Sequence, residues 1–444
     1  MTHQTPQNLR SMVRELQEIF EQLLPAEQEY AQRHGNARLE TQWLATVAII
    51  TWGWTHHETV TQRVVAAIVV ANSVLGVEDI ATRQGFQKAL KSISQKLVPQ
   101  VIDCFAEYTS KIAGHWSSGG KVNFAIDGTK FSAPRTEANQ KMFAASQTTK
   151  KKKTYNKKSD AAKAATVQLL VTTAWHIGTG LPYRWKIDGS AGSERQNLIS
   201  MLSDLPGNAR LIADAEYVGY PLWSEIMRQG KTFLVRVGAN ITFIKNLEKH
   251  PTQKGCVSYW PAGRMNKKES PLLLRLIKIN EGDQTIYLAT NELDMTDEQA
   301  SKLYRMRWGI EVFFRSVKES CERRQLCCRT PENVIVELNW TLLGIWAAFA
   351  IGKKILKSEC KLIKKLSPVK TIRAFKQMVQ TMMILATPVF SLKEVICVAL
   401  IADESQRTTS KQSRHYPRKK RHRRCGKPKI IKANTLQKRT AALL

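Results

Sequence analysis

The chain reads as a mixed α/β protein. A run of short apolar segments between Val122 and Ala213 has the order strand, hairpin, strand, helix, strand. Helical periodicity of three and four residues fills most of the first 115 residues and returns after Pro331. The first and last of the apolar segments each run into an aspartate, Asp127 and Asp214. Strand ends in a sheet flanked by helices are where side chains converge on a cleft.

In the first region, Arg10 to Leu24, Leu39 to Trp54, Thr59 to Leu75 and Phe86 to Ile112 are the helical segments. Asp79 to Leu90 fits either a turn leading into a DNA-reading helix or an ordinary helix junction. Val122 to Ile126 reads as a strand, Asp127-Gly128 as a turn and Lys130 to Ser132 as its return. Lys150 to Lys153 are four like charges in a row, which marks a mobile loop within 141–165. Thr166 to Trp175 is a buried strand, and Arg184 to Asp188 pairs with it across Gly178-Thr179-Gly180. Ser193 caps a helix from Glu194 to about Leu202, where Glu194 suits the helix dipole, and Arg210 to Ala213 is a further strand.

Residues 221–283 read mostly as short strands: Thr232 to Val237, Cys256 to Trp260 and Leu272 to Ile279. Gln284 to Thr290 follows as another, and Thr296 caps the next helix. Within that helix lies LYRMRWGIEVFFRSVKESC, residues 303–321. Wound at about 100° per residue from Tyr304, Arg307, Glu311 and Lys318 fall at about 300°, 340° and 320°. Trp308 and Arg315 border this stripe, while Leu303, Met306, Ile310, Phe313, Phe314, Val317 and Cys321 gather opposite. An amphipathic surface helix accounts for the pattern, but a carboxylate ringed by two cations and a phenol also suits metal and phosphate. Thr341 to Gly352 reads as a buried helix, and no apolar run reaches the length of a membrane span. Between Lys411 and Lys432 stand eleven Lys or Arg and no acid, the composition of a disordered or loosely docked arm.

The balance of 68 Lys+Arg against 37 Asp+Glu gives a net charge of +31, which favours a polyanionic partner, nucleic acid before a membrane surface. None of the eight cysteines forms a C-x-x-C pair and no histidine spacing fits zinc, so a reduced, cytoplasmic protein is expected. Three carboxylates brought together repel unless cations neutralise them, and oxygen ligands select Mg²⁺ or Mn²⁺.

Tyr304-x2-Arg307-x3-Glu311-x6-Lys318 resembles the Tyr-Arg-Glu-Lys signature of a group of bacterial insertion-sequence DDE transposases. Asp127, in AIDGTKF, and Asp214, in LIADAEYVGY, stand where those proteins carry their first two acids; Glu216 occupies a position where they commonly have glycine. The resemblance implies an RNase H-like catalytic core split by a β-rich insertion, with a helical N-terminal domain and a helical C-terminal region. It divides the chain into a DNA-binding region 1–115, core 116–220, insertion 221–283, core 284–330, helices 331–400 and a basic tail 401–444. It implies Asp127, Asp214 and Glu311 as ligands of two Mg²⁺ or Mn²⁺ ions, and Tyr304, Arg307 and Lys318 on DNA phosphates. Trp308 is read as packing at the rim or holding a flipped base, Arg315 as a further DNA contact, and Tyr287 as a weaker aromatic candidate.

The implied activity is transposition: binding of terminal inverted repeats, strand cleavage, and joining of the 3′-OH ends to target DNA by a homodimer at the nucleoid, with no membrane. A structure-specific nuclease on the same core, and a non-catalytic DNA-binding descendant, are the alternatives.

Overall fold

A computed structural model describes residues 18, 20, 21, 24, 41–55, 59–75, 83–112, 116–144, 167–247, 255–281, 284–358, 366–385 and 426–444. The described strands are β1 (Val122–Ser132), β2 (Gln168–His176), β3 (Leu181–Gly189), β4 (Ala209–Ala213), β5 (Thr232–Val237), β6 (Thr242–Lys245), β7 (Cys256–Tyr259), β8 (Leu272–Glu281), β9 (Gln284–Thr290) and β10 (Lys429–Lys432). They form one sheet in the order β10-β6-β7-β8-β9-β5-β4-β1-β2-β3. β4 runs parallel to both β1 and β5, whereas β2, β3 and β9 pair antiparallel with their neighbours.

The described helices are α1 (Thr41–Ile49), α2 (Val60–Leu75), α3 (Arg83–Ile112), α4 (Glu137–Phe143), α5 (Glu194–Met201), α6 (Tyr220–Arg228), α7 (Ala262–Met265), α8 (Asp297–Met306), α9 (Trp308–Arg315), α10 (Pro331–Ser358), α11 (Pro368–Leu385) and α12 (Thr435–Ala442). Side chains alternate across a strand, and the two faces feed two cores. Ala125, Phe131, Ile212, Leu234 and Leu288 point to one core, shared with α1, α2, α3, α9, α10 and α11. Phe124, Ile126, Leu211, Ala213, Phe233 and Val235 point to the other, under α5 and α6.

α10 is long and apolar enough to cross a membrane, yet most of it is buried within the fold. It is the axle of the helical layer, and it meets the π-helical turn Ile50–Trp54 backbone to backbone. A Cβ on Gly53 would fall 2.6 Å from the Gly344 Cα, and the Trp54 indole N–H donates to the Gly344 carbonyl at 2.8 Å. Only glycine on both sides admits so close a crossing.

Four sequence expectations are corrected. Asp127-Gly128 is not a turn: β1 runs straight through it, paired with β2 from Phe124 to Ser132. Ladder bonds to β2, with β4 on the other flank, outweigh the dipeptide's local turn preference. Residues 221–283 carry the three expected strands but do not open on one: α6, with Pro221 in its first turn, comes first and buries Leu222, Trp223 and Ile226. β5 then lies inside the sheet beside β4.

The helix carrying residues 303–321 is not continuous. The chain tightens at Arg307, whose N–H reaches the Tyr304 carbonyl, and widens into a π-helical turn over Ser316–Ser320. Finally, the end of the basic tail is ordered. β10 adds to β6, Pro428 is buried, and Asn434 and Gln437 form a capping box that starts α12. Lys150–Lys153, most of Arg10 to Leu24 and of the Asp79 to Leu90 junction's start, and the Lys411–Cys425 part of the tail lie outside the described residues.

Candidate active site

β1 and β4 run in parallel register with Ile126 beside Ala213 as the last matched pair. The next residues are Asp127 and Asp214, so the two carboxylates leave neighbouring strands at one level. Asp214 keeps an extended backbone (φ −86°, ψ −171°), and both aspartates continue the alternation onto the face covered by α9. The Asp127 Oδ1 accepts the Gly128 N–H at 2.9 Å, and the Asp214 Oδ1 accepts the Glu216 N–H at 2.9 Å. Glu216 itself is exposed.

Burial pushes the Asp127 carboxyl up to about 7; Arg307 opposes the rise, and the negative charge of Asp214 and, more weakly, Glu194 adds to it.

α8 is started by a capping box in which Thr296 and Gln299 satisfy each other's backbone N–H groups. α9 then lies flat on the Trp175 ring, against which a Cβ on Gly309 would fall at 2.2 Å. Ile310, Phe313, Phe314, Val317 and Cys321 are buried, the apolar side that the helical wheel assigns. The polar stripe faces β1. The Arg307 Nη2 donates to the Glu311 Oε1 at 2.8 Å, its Nη1 lies 3.9 Å from the Asp127 Oδ2, and its guanidinium sits 5.5 Å from the Tyr304 ring centre. Arg307 is thus a bridge between Asp127 and Glu311. Its Nε is buried with no hydrogen-bond partner among the described residues.

The Lys318 Nζ donates to the Thr129 Oγ1 at 2.5 Å and lies over the Phe131 ring. Burial holds this ammonium below the usual lysine range, with Arg324 adding to the effect. Trp308 is 45% exposed beside the bridge, and Arg315 is exposed one turn before Lys318. Tyr287 packs with the core on the other face of the sheet, away from the acids.

Two residues here escape sequence reasoning. Arg236, two positions beyond Leu234 on the same face of β5, hydrogen-bonds the Tyr304 phenol; burial pushes that phenol up, and Arg307 and Arg236 oppose the shift. Glu194, the first residue of α5, comes over the end of the sheet from the opposite face. Its carboxyl accepts the Tyr217 O–H at 2.8 Å and would collide with a Cβ on Gly128, 2.2 Å from its Cδ. A glycine inside a strand is the signal that marks such a close approach.

The oxygen donors of Asp127 and Asp214 fit a hard divalent cation, and the like charge that disfavours ionised Asp127 is what such an ion relieves. Among the described residues, no three His, Cys, Asp or Glu side chains stand close enough together to hold an ion. Glu311 is instead engaged by Arg307.

Residues 118–346, more than half of the chain, match the family model of the transposase DDE domain. The chain belongs to that family and is a DDE-type transposase, an enzyme of DNA transposition. Members of this class generally use divalent metal ions. Among solved structures, a piggyBac transposase synaptic complex with hairpin DNA matches over 93% of this chain and 92% of that one, at 13% identity and a TM-score of 0.39. No curated protein matches the chain.

Proposed function

We propose that this transposase binds the terminal inverted repeats of an insertion-sequence element, cleaves the DNA strands by metal-dependent phosphodiester hydrolysis, and joins the 3′-OH ends to target DNA. The observation that carries the reading is the pair Asp127 and Asp214, level on adjacent parallel strands and facing the helix of Glu311. The strand order β3-β2-β1-β4-β5 supports an RNase H-like core. In this reading the core takes in residues 116–220 and 284–330, with 221–283 as an insertion whose strands extend the same sheet.

Asp127, Asp214 and Glu311 are the metal ligands, for Mg²⁺ or Mn²⁺ and for two ions. Bound divalent ions supply an activated water and charge stabilisation at the leaving oxygen. The residues of the stripe hold the DNA. Arg307 carries a planar donor fork whose match to a phosphate equals its match to Glu311, so a phosphate at the bridge competes for it and frees that carboxylate. Lys318 adds a point charge beside Thr129, and Tyr304 a phenol kept protonated by burial. Trp308 presents an exposed ring for stacking and Arg315 an exposed cation. Residues 1–115 serve as the DNA-binding region; Arg83, Lys88, Lys91 and Lys96 are exposed along α3. Two copies hold two ends in the active complex.

The test is a nicking and strand-transfer assay with Mg²⁺ on DNA carrying the element's own ends. Wild type cuts and joins, whereas Asp127→Asn and Glu311→Gln do neither while still retarding the DNA in a gel. Variants that nick as well as wild type would remove these residues from the site; nicking without joining would mark a nuclease.

A further inference from the structure

The ordered end of the basic tail has no part in the site described above. β10, α12 and the residues beside them carry Lys427, Lys429, Lys432, Lys438 and Arg439, all exposed, and no Asp or Glu follows Glu404 in the chain. β10 is pinned to β6 by the Lys429 N–H on the Ile241 carbonyl and the Ala433 N–H on the Lys245 carbonyl. α12 packs Ala441 against the core under α5 and α6. Register sets Lys432 beside Lys245, which is exposed too, and no ion pair among the described residues joins any of these cations.

Edge strands carry lysine to deter pairing with other chains, which accounts for Lys429 and Lys432. It does not account for Lys245, on the inner strand β6, where like charge stands beside like and repels. Nor does it account for Lys438 and Arg439, which lie on a helix. Cations gathered without a counter-charge suit a polyanion.

Strand direction places the unit relative to the aspartates. β1, β4, β5, β8, β6 and β10 all run the same way, so Asp127, Asp214 and Lys432 lie toward one edge of the sheet. Ala213 is level with Val235, Ala289 and Leu276. Carried across β7 and β6 in register, that level falls at Asn434, the cap of α12. Six strand spacings separate β4 from β10, about 29 Å along the sheet. Between them Lys278, exposed on β8, stands two residues past the same level.

We propose that β10 and α12, with Lys245 beside them, form a further phosphate-binding surface for duplex DNA. At a rise of about 3.4 Å per base pair, it grips the backbone roughly 8–9 base pairs from the bond cut at Asp127 and Asp214. The proposal rests on the DNA-cleaving reading above and adds where the duplex lies: along one edge of the sheet, past Lys278. A phosphate between Lys245 and Lys432 relieves their repulsion, so DNA also secures the end of the chain on the sheet.

The test is binding of the full chain to duplexes carrying the element's own end, stopping about 6 or about 14 base pairs from the cleavage point on either side. On one side, wild type should bind the longer duplex on the order of 10-fold tighter, because only that duplex reaches the second surface. Lys245→Ala, Lys432→Ala, Lys438→Ala and Arg439→Ala combined should abolish this gain and lower the slope of log K against log salt by about 3 to 4. Lys245→Arg with Lys432→Arg should keep both. All four positions are exposed, and thermal melts check that the combined variant folds; if it does not, Lys438→Ala with Arg439→Ala decides, at about half the effect on slope. A slope within one of wild type, or a length gain that survives in the combined variant, overturns the surface; loss of dimers at unchanged slope would make it an interface between copies instead. Nicking by wild type separates the two failures. Cut ends with an unchanged slope overturn the surface alone, and no cutting with a reduced slope overturns only the cleavage reading.

Discussion

Two arginines project over the same face of the sheet and meet carboxylates in opposite ways. Arg210, on β4, uses its Nε and Nη2 to clasp both oxygens of Glu292 and its Nη1 to reach the Asn123 Oδ1 at 3.1 Å. Burial pushes the Glu292 carboxyl up, but the hydrogen bonds and charge of Arg210 outweigh it and hold the group low. Arg307, equally shielded at 11% exposure, makes one short bond to Glu311, stands 3.9 Å from Asp127 and has no hydrogen-bond partner for its Nε among the described residues. Burial pushes Asp127 up to about 7, and Arg307 only partly opposes it. A bidentate, fully bonded pair locks strands together. An incompletely bonded one, with more carboxylate than it can neutralise, is poised to exchange partners. The teaching is that burial of charge alone does not mark a site; unfinished bonding does.

Breaking each pair separates the two roles. Asp127→Asn should lower strand cleavage by roughly 10²–10³-fold or more while leaving the chain at least as stable as wild type, because a buried, repelled carboxyl is removed. Glu292→Gln should do the converse, lowering unfolding free energy by roughly 3 kcal/mol because Arg210 loses its charged partner. Chemical denaturation beside a nicking assay measures both; equal stability losses would erase the distinction.

The two ends also respond to pH in opposite senses. His176, near the Arg210 pair, is buried and driven down to about 4, with its ring nitrogens bonded to Thr179 and the Trp116 carbonyl. The unfolded chain takes up that proton first, so stability is lost as pH falls from about 6.5 towards 4, on the order of 3 kcal/mol over the full window. Asp127 titrates the other way: the folded chain keeps its proton to about pH 7, so its contribution falls as pH rises from about 4 to 7 in chelator. Melting profiles of His176→Gln and Asp127→Asn should each flatten one limb.

The smallest effect is expected from Lys318→Ala. Binding of the transposon ends should weaken, with the slope of log K against log salt reduced by about one. An unchanged slope would place Lys318 with the structural cations, next to Arg210.

Much of this was legible in the residues. β2, β3, β4 and β9, the Thr296 cap and the buried side of α9 follow from short-range periodicity, and the two aspartates stand out because apolar strands run into them. What was not legible depends on distant partners. Gly128 looks like half of a turn until β2 and Glu194 are beside it. Arg236 looks like an ordinary strand cation until Tyr304 is laid over β5. The basic composition of the tail conceals the edge strand β10, which only the free edge of β6 makes possible. The tightening at Arg307 leaves no trace on an ideal wheel.

The glycine crossing of Gly53 with Gly344 bears on how the protein is made. Trp54 finds its carbonyl partner 290 residues later in the chain. At 5–20 residues per second of synthesis, that partner arrives roughly 15–60 s after the tryptophan. Trp43 meets Asn72 and Phe86 early in synthesis, but through that interval Trp54 lacks its Gly344 carbonyl partner. Until α10 has left the ribosome the Trp54 side of this crossing lacks its partner surface, and chaperone supply is expected to raise the yield of this transposase in the cell.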